Sequence, residues 1–523
     1  MGRLRIRGVA NQYLVANRDQ LFLLPPAMRD WLPEGHLAWF VLDVLEAIET
    51  DAFHGRYVHG GPGRPAYHPE QMLALLIYAY ANGVRSSRQI QRLCASDVAY
   101  RVICAGQIPD HATIARFRAD HQEAFKQVFV DVLRLCAAAG LASLGTVAID
   151  GTKIEANAAL SANREAKWVG AEVERILHEA EKTDASEQTL LGARAGDELP
   201  PKLARRSSRL AHLRAAQAEL QTRQARAEAA AAEQSAARAE AAEGRMLKGK
   251  RPSKDPHHEL ARARIDVDVL RRRAAERVAA RAQKRSGHEP ELGSQLKWML
   301  VAAEARLKAA EAAVAEAART AKVNVTDPQS RIMPTNSGFI QGYNAQGAVN
   351  QHQIVLANGI TQETNDCHQF LPMLGATQHN GRLVGIDHRV GRALADAGYW
   401  SEENATTPGP ERLIATTKHH KLRLAAREMG LCVGPPPVNA STLEAMEHRL
   451  RTAEGAAAYA MRSQTVEPVF GAIKENLGFR RFARRGLAAA ESEWNLVCAI
   501  HNLLKLFRHQ VRLRPAVLVS VTV

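Results

Sequence analysis

The sequence predicts a mixed α/β (α+β) protein with a helical N-terminal domain and a long helical insertion. The chain has 523 residues, 46% of them hydrophobic. This length exceeds what a single hydrophobic core normally contains, so several domains are expected. Apolar residues recur at helical spacing up to about residue 135 and again from about 165 to 322. Short strand-like runs occur on both sides of the second stretch, so we expect one strand-rich domain that the insertion interrupts.

The N-terminal region is predicted to form short helices. Residues 37–48 are apolar on a helical period, and residues 70–80 have the composition of a buried helix. Glycines and prolines punctuate residues 60–69, which predicts a loop between the two helices.

Two further helices follow in tandem. Either serine of the pair before Arg88 can cap a helix over 88–94, and Asp110 can cap a helix over 111–120. The pair favours a helix-turn-helix-like module in which Arg88 and Arg118 contact DNA phosphates. A plain helical bundle with solvated arginines is the alternative, because the linker is longer than the tight turn of that motif.

Residues 165–322 differ in composition from the rest and predict long helices. Four leucines recur at steps of 7, 3 and 7 residues, the a/d spacing of a coiled coil: Leu203, Leu210, Leu213 and Leu220. Further helices are predicted over 256–283 and 293–322, with breaks at 199–201, 248–252 and 287–293. We expect an antiparallel helical hairpin or coiled coil whose charged runs form a solvated face.

The remaining segments carry strand signals that place three acidic residues. The run 144–150 ends at Asp150 and the run 393–396 ends at Asp396, so both aspartates are expected at strand ends, whereas Glu467 lies on a helical segment. Other elements are predicted as strands over 342–349, 353–357 and 412–417, a helix beginning near 370, and a helix over 494–507.

Two aspartates and one glutamate that are distant in sequence suit a Mg²⁺ site for phosphoryl transfer. Hard cations prefer oxygen ligands, and Mg²⁺ is usually held by few carboxylates together with substrate phosphate. Two metal ions about 3.5–4 Å apart can hold the attacking and leaving oxygens of an in-line displacement at phosphorus. Taken one at a time, Asp150 and Asp396 could each merely cap a turn, and Glu467 could be a surface residue.

Other aspartates compete for the same role. Asp366 stands beside His368 and ranks second to Asp396 as a metal ligand, and Asp387 is a weaker competitor. Asp327 precedes a proline and is better explained by a turn.

The bulk composition favours a polyanionic partner. Lys and Arg number 69 against 55 Asp and Glu, a net charge of +14. The six cysteines form no CxxC pair, which argues against zinc and disulfides and fits a reducing cytoplasm. We identify no signal peptide and no membrane-spanning stretch.

With these motifs the chain resembles bacterial insertion-sequence transposases of the DDE class, which join an InsH-like N-terminal domain to an RNase-H-like core. The matching motifs cover most of the chain outside the insertion. They lie at residues 63–69, 85–88, 149–158, 326–331, 341–346, 395–399, 466–474, 482–486 and 501–505.

The resemblance implies that Asp150, Asp396 and Glu467 are catalytic metal ligands for two Mg²⁺ ions, for which Mn²⁺ can substitute. It also implies that Tyr459, Arg462 and Lys474 form, with Glu467, a Tyr-Arg-Glu-Lys signature that grips the transposon end. The family normally places three residues between the Arg and the Glu, whereas four separate Arg462 from Glu467 here. This departure predicts that Arg462 points differently.

The resemblance further implies a reaction and its partners. Metal-activated water cuts one strand at a terminal inverted repeat, and the freed 3′-hydroxyl then attacks target DNA. Basic residues would contact phosphates with strong salt dependence; they are Lys153, Lys474, Arg480, Arg481, Arg484 and Arg485. A homodimer or higher oligomer on double-stranded DNA, in the bacterial cytoplasm and on the nucleoid, is expected.

The expected domains are a helical N-terminal DNA-binding domain (1–135), an RNase-H-like domain (140–164 and 323–510), the insertion (165–322) and a tail (511–523). The insertion is expected to serve DNA-end binding or dimerisation. The alternatives to an active transposase are a catalytically inactive DNA-binding relative or regulator, a structural coiled-coil protein, and an RNase-H-like nuclease of other purpose.

Overall fold

The computed structural model describes residues 27–55, 66–191, 201–241, 255–284, 294–417, 428 and 430–513. Three predictions lie wholly or mainly outside them: residues 60–65 of the N-terminal loop, the breaks near 199, 248 and 287, and most of the tail. The chain forms two compact units, one from residues up to Asp120 together with those from Phe507 onward, the other from His121–Leu506. No helix of the described segments is long and apolar enough to cross a membrane.

The first unit is helical, as the periodicity predicts. Its elements are α1 (Leu37–Glu46), α2 (Asp51–His54), α3 (Pro69–Ala81), α4 (Ser87–Ser96), α5 (Val98–Ile103) and α6 (His111–Asp120). The apolar face of α3 is buried almost completely. Asp110 caps α6, since its carboxylate accepts the backbone N–H groups of Ala112 and Thr113 at 2.9 and 3.0 Å. Helix α5 lies in sequence between α4 and α6, which were predicted to be in tandem.

Arg118 lies inside this unit, which corrects its assignment as a DNA contact. Its side chain is 9% exposed, and its guanidinium donates to the Tyr80 hydroxyl (3.0 Å), the Arg85 carbonyl (3.0 Å) and the Ser87 hydroxyl (2.5 Å). Position 118 shares the buried side of α6 with Ile114 and Phe117. Arg118 therefore joins α6 to the start of α4, and Arg88, which is exposed, stays available to a ligand.

The second unit contains a mixed sheet in the order β4-β5-β1-β7-β8, with β6 also paired to β5. Its strands are β1 (Thr146–Glu155), β4 (Arg331–Thr335), β5 (Gly338–Asn350), β6 (Val355–Thr361), β7 (Arg392–Ala395) and β8 (Glu411–Ile414). Strand β5 pairs antiparallel to β1, β4 and β6, whereas β1, β7 and β8 are parallel. The predicted strands are all present.

Strand β1 continues beyond Asp150, so this aspartate does not end its strand as predicted. Residues 151–155 pair with β5 from Gln346 to Gly342, because the long β5 offers backbone partners on that side. The parallel pairing with β7, however, stops at Ile149 opposite Ala395. Asp150 is thus the first residue of β1 past the end of its parallel neighbour.

Helices cover both faces of the sheet. On the second unit they are α7 (Ala124–Ala138), α12 (Phe370–Leu383), α13 (Glu402–Thr406), α14 (Thr442–Leu450), α15 (Ala453–Glu475) and α16 (Leu487–Leu513), of which α16 runs on into the first unit. Phe470 of α15 packs over Gly347, the partner of Asp150, so α15 lies on the face to which Asp150 points. Met373 of α12 lies near Gly359 on the other face.

The insertion leaves and rejoins the sheet domain at one point. Strands β2 (Asn163–Glu165) and β3 (Lys322–Asn324) pair antiparallel, and the Ala166 N–H donates to the Ala321 carbonyl at 2.9 Å. Between them run α8 (Ala166–Leu191), α9 (Pro201–Ala241), α10 (Pro256–Lys284) and α11 (Ser294–Thr320).

Apolar contacts join the insertion's helices in pairs. Leu210, Leu213 and Leu220 pack with α8 against Val323, as the heptad spacing predicts, whereas the Leu203 side chain lies outside the described residues. Helices α10 and α11 are antiparallel, because the start of α10 packs on the end of α11 and its middle packs on the start of α11.

Candidate active site

Three carboxylates from separate elements meet at the edge of the parallel strands. Asp396 follows β7 directly, and Asp150 occupies the next position past the β1–β7 pairing, so the two lie side by side. Asp396 also caps a short 3₁₀ helix (Ala397–Tyr399) by accepting the Gly398 N–H at 2.9 Å. Helix α15, lying over the face of Asp150, adds Glu467. A strand pair and one facing helix therefore bring the three acidic residues together.

Arg462 stands among these carboxylates. Its guanidinium lies 2.7 Å from Asp150 Oδ2, 3.8 Å from Asp396 Oδ2 and 3.2 Å from Glu467 Oε1. The Arg462 side chain is 12% exposed, and its Nε is buried without a hydrogen-bond partner. Four residues separate Arg462 from Glu467, and with this spacing the arginine points into the acidic cluster.

Burial dominates the electrostatics of Asp150. It raises the pKa of this carboxyl to about 6, although the Arg462 guanidinium lowers it, and Asp396 adds to the rise. Burial also lowers the pKa of Arg462, but the surrounding carboxylates more than offset this and hold its pKa above the ordinary value. The cluster therefore contains more negative charge than its one guanidinium neutralises.

A proline fixes the backbone beside Glu467. Pro468 has no N–H to donate to the carbonyl of Gln464, four residues before it. Gln353, in the turn between β5 and β6, donates its side-chain amide to that carbonyl at 2.9 Å. Its own Oε1 accepts from Lys505 at 2.5 Å. The carbonyl that lacks a helical N–H donor because of the proline thus accepts a hydrogen bond from a residue of the sheet domain.

Tyr459 and Lys474 lie on the same helix as Arg462. Tyr459 is buried, which raises its pKa to about 12. Lys474 is half-buried, and burial together with Arg480 lowers its pKa, although Asp150 opposes this. The helix thus presents its signature residues towards the acidic cluster from one side.

A polar network lies beneath the site on the opposite face of β1. Asp366 Oδ1 accepts from Asn344 (2.6 Å), Gln346 (2.9 Å) and Lys153 (3.3 Å). The buried Tyr399 hydroxyl donates to Gln346 Oε1. Asp366 is therefore held by Asn344, Gln346 and Lys153, and it lies close enough to Asp150 to raise the pKa of that carboxyl.

Asn344 and Gln346 were not singled out as functional by sequence reasoning. The signal that could have found them is the placement of two amides two residues apart on β5, because buried polar side chains need hydrogen-bond partners. Gly151 belongs to the same network. A Cβ on it would lie 2.6 Å from Asp366 Oδ1 and closer still to Gln346 Nε2.

Basic residues surround the end of β1. The loop after α15 docks there, since the Glu155 N–H donates to the Arg480 carbonyl at 3.1 Å. Arg485 is exposed and donates to the Asn157 carbonyl at 3.1 Å, and Arg484 is half-buried. This loop carries four arginines, of which Arg480 pairs with Glu475 and Arg481 with Glu155.

The three carboxylates have the oxygen ligands that a hard cation prefers, but in this structure they are not close enough together to hold one. Asp150, Asp396 and Glu467 offer only oxygen ligands, which Mg²⁺ prefers. Among the described residues, however, no three Asp, Glu, His or Cys side chains converge closely enough to hold a metal ion. Arg462 occupies the space between the three carboxylates.

Comparison with protein families gives two matches. Residues 26–120 match the family described as "Transposase domain (DUF772)", and residues 436–507 match the family described as "Transposase DDE domain". These two matches support an insertion-sequence DDE transposase. Neither a curated protein nor a solved structure matches it.

The two matches fall in different parts of the fold. The first covers the described helices α1–α6, and the second runs from before α14 into α16 and includes Arg462, Glu467 and Lys474. Asp150 and Asp396 lie outside both matched segments. Their association with the transposase DDE segment rests on the contacts that Arg462 makes to all three carboxylates.

Proposed function

We propose that this transposase binds the terminal inverted repeats of an insertion sequence and catalyses metal-dependent cleavage and transfer of DNA strands. The observation that carries the proposal is the convergence of Asp150, Asp396 and Glu467, from β1, β7 and α15, around one guanidinium. Their positions in a mixed sheet and a facing helix support an RNase-H-like catalytic core.

Each carboxylate has a distinct place in this proposal. Asp150 is 14% exposed and anchors the site, whereas Asp396 and Glu467 are 43% and 56% exposed and open towards solvent. The three residues would hold Mg²⁺, or Mn²⁺ in its place. When bound, such ions supply charge neutralisation at the attacking and leaving oxygens of the phosphodiester.

The basic residues near the site would position the DNA backbone. Lys474, Arg484 and Arg485 lie near the acidic cluster or in the loop that docks at the end of β1, and Arg88 is exposed on α4. Tyr459 is buried on α15, close enough to Arg462 for each group to shift the pKa of the other. Lys153 pairs with Asp366 at 3.3 Å, so it would influence the site through that carboxylate. A paired-end complex of two or more chains completes the proposal.

The test is cleavage of labelled linear DNA that carries the element's own terminal repeats, with Mg²⁺. We expect wild type to cut at the repeat ends and Glu467→Gln to bind without cutting, since only the charge of one ligand is lost. Glu475→Gln is the matched control, because Glu475 lies on the same helix, is exposed and pairs with Arg480. It should cut as wild type does.

Two outcomes would contradict the proposal. Binding without cleavage by wild type, in both Mg²⁺ and Mn²⁺, favours a catalytically inactive DNA-binding relative. Cleavage that never proceeds to strand joining favours a nuclease of other purpose.

A further inference from the structure

The acidic cluster contains Arg462, whose positive charge prevents it from being a metal ligand. Arg462 Nη2 contacts Asp150 Oδ2 at 2.7 Å and approaches Asp396 Oδ2 at 3.8 Å, while Nη1 contacts Glu467 Oε1 at 3.2 Å. A planar guanidinium can address several carboxylates at once, which a metal ion between them would otherwise do. The arginine therefore fills the position that a cation needs.

Three carboxylates held together without a counter-ion would repel one another, and the effect is larger in a partly buried site. Arg462 relieves this repulsion, but it also separates the oxygens by the width of its guanidinium. Among the described residues, no three acidic groups lie close enough together to hold a metal ion. Metal binding and the present position of Arg462 exclude each other.

The Arg462 side chain can rotate away from the cluster. Asp396 and Glu467, its two outer partners, are 43% and 56% exposed, so a ligand can approach from solvent. Its Nε is buried without a hydrogen-bond partner, so rotation away from the cluster breaks no bond at that nitrogen. The Thr465 hydroxyl donates to the Arg462 carbonyl at 3.0 Å, which fixes the helix backbone while the side chain turns.

We propose that Arg462 is an internal counter-ion that keeps the site closed to divalent cations until a DNA phosphate draws its guanidinium away. The inference rests on the proposed function for the identity of the ligands. A guanidinium forms charge-assisted, often bidentate hydrogen bonds with phosphate as it does with carboxylate, and its departure leaves the three carboxylates free to close on a metal ion. DNA and metal then favour each other's binding, and by linkage the effect is reciprocal.

The experiment measures Mn²⁺ binding to the full-length protein, from the electron paramagnetic resonance signal of the free ion. Wild type, Arg462→Gln and Arg392→Gln are compared without DNA. Arg392 is the matched control, because it also bridges two carboxylates, those of Glu411 and Glu454, away from the cluster. We expect Arg462→Gln to bind Mn²⁺ about tenfold more tightly than wild type, as removal of an opposing charge predicts. Arg392→Gln should match wild type.

The second arm repeats the titration with a duplex oligonucleotide that carries the terminal repeat. Wild type should bind Mn²⁺ more tightly with the duplex than without it, whereas Arg462→Gln should gain less. Unchanged or weaker Mn²⁺ binding by a folded Arg462→Gln overturns the proposal, and so does a wild type that the duplex leaves unaffected. If Arg462→Gln does not fold, the wild-type comparison and Arg462→Lys decide, since lysine keeps the charge and should bind Mn²⁺ as weakly as wild type.

The cleavage assay separates this inference from the proposed function. Tighter Mn²⁺ binding by Arg462→Gln, with no cleavage by wild type, keeps the counter-ion and removes the strand-transfer activity. Cleavage by wild type, with equal Mn²⁺ affinities in all three proteins, does the reverse.

Discussion

Among single residues, two glycines beside Asp150 allow neighbouring side chains to pack closely against the strands of the site. Gly151 follows Asp150 on β1, and its missing side chain makes space for Asp366 and Gln346 on the face below the strand. Gly347, the β5 partner of Asp150, makes space for Phe470 of α15 on the face above. The two glycines allow a polar network and a helix to approach the same pair of strands from opposite sides.

Gly151→Ala should destabilise the protein by about 1–3 kcal/mol, the usual cost of overpacking. The new Cβ would lie 2.6 Å from Asp366 Oδ1 and 3.0 Å from Asn344 Oδ1, both of which are held by hydrogen bonds. Urea denaturation of the full-length chain measures the free energy of unfolding. Gly145→Ala is the control, since a Cβ there meets nothing within 4 Å, and an equal loss in both variants would contradict the crowding argument.

At the scale of elements, the orientation of α15 decides where Arg462 and Glu467 point. The helix contains Pro468, and the sheet domain satisfies the carbonyl that this proline leaves free. Gln353 does so from a left-handed backbone conformation (φ +62°), which is uncommon outside glycine and asparagine. A tight turn between two strands thus anchors the helix that carries a metal-ligand candidate.

Gln353→Ala should cost about 1 kcal/mol of stability, the net value of a typical hydrogen bond, because the Gln464 carbonyl and Lys505 each lose a partner. Thermal unfolding measures this loss. Gln351→Ala is the matched control two positions away, where the side chain is exposed and near only His352. If Gln351→Ala is destabilised as much, the turn and not the helix contact is responsible.

Asp327 joins the turn before β4 to the start of α16. It is 1% exposed, and its Oδ1 accepts from the Tyr343 hydroxyl (2.9 Å) and the Gly486 N–H (3.2 Å). Its backbone carbonyl accepts the Ser330 N–H at 3.1 Å, so the predicted turn is confirmed. Burial raises the pKa of this carboxyl. The folded state therefore binds its proton more tightly than the unfolded state does.

Asp327→Asn should change how stability depends on pH. Because the folded pKa is raised, the contribution of Asp327 is complete below its unfolded pKa and is lost as pH rises through the folded value. The variant lacks this titration, so its stability relative to wild type should increase from the acid range towards neutrality. Unfolding free energies measured across that range test the slope, and parallel profiles would contradict the assignment.

In the molecule as a whole, an insertion of about 150 residues is joined to the sheet domain through the two-stranded pairing of β2 and β3. Its ends meet at Ala166 and Ala321, 2.9 Å apart from N to O. Its first helix pair packs on Val323, and Glu219 pairs with Arg331 at the start of β4. The sheet domain is therefore continuous without the insertion, although it gives up these contacts.

Replacing residues 166–321 by a short glycine-serine turn should leave a folded sheet domain. If the insertion serves DNA-end binding or dimerisation, the shortened protein should lose affinity for the terminal repeat or should no longer self-associate. Gel-shift titration and sedimentation measure the two properties, and Glu219→Gln is the control that loses the Arg331 pair but keeps the insertion. Unchanged end binding and unchanged self-association would remove this role.

Local sequence patterns were sufficient to predict the secondary-structure elements and the three acidic residues. Helical and strand periodicities are local properties, so the strands around Asp150 and Asp396, the helix of Glu467 and the long helices of the insertion followed from spacing alone. Local patterns also pointed to the Asp110 cap and the Asp327 turn, both of which are present.

Which charged side chains contact one another depends on long-range packing. Arg118 had the pattern of a surface arginine, yet it is buried because Tyr80, Arg85 and Ser87, distant in sequence, supply its hydrogen bonds. The side chains of Lys153, Asn344 and Gln346 hold Asp366, and the packing of α15 places Arg462 among Asp150, Asp396 and Glu467. Such pairings depend on strand register and helix orientation, which no local window of sequence contains.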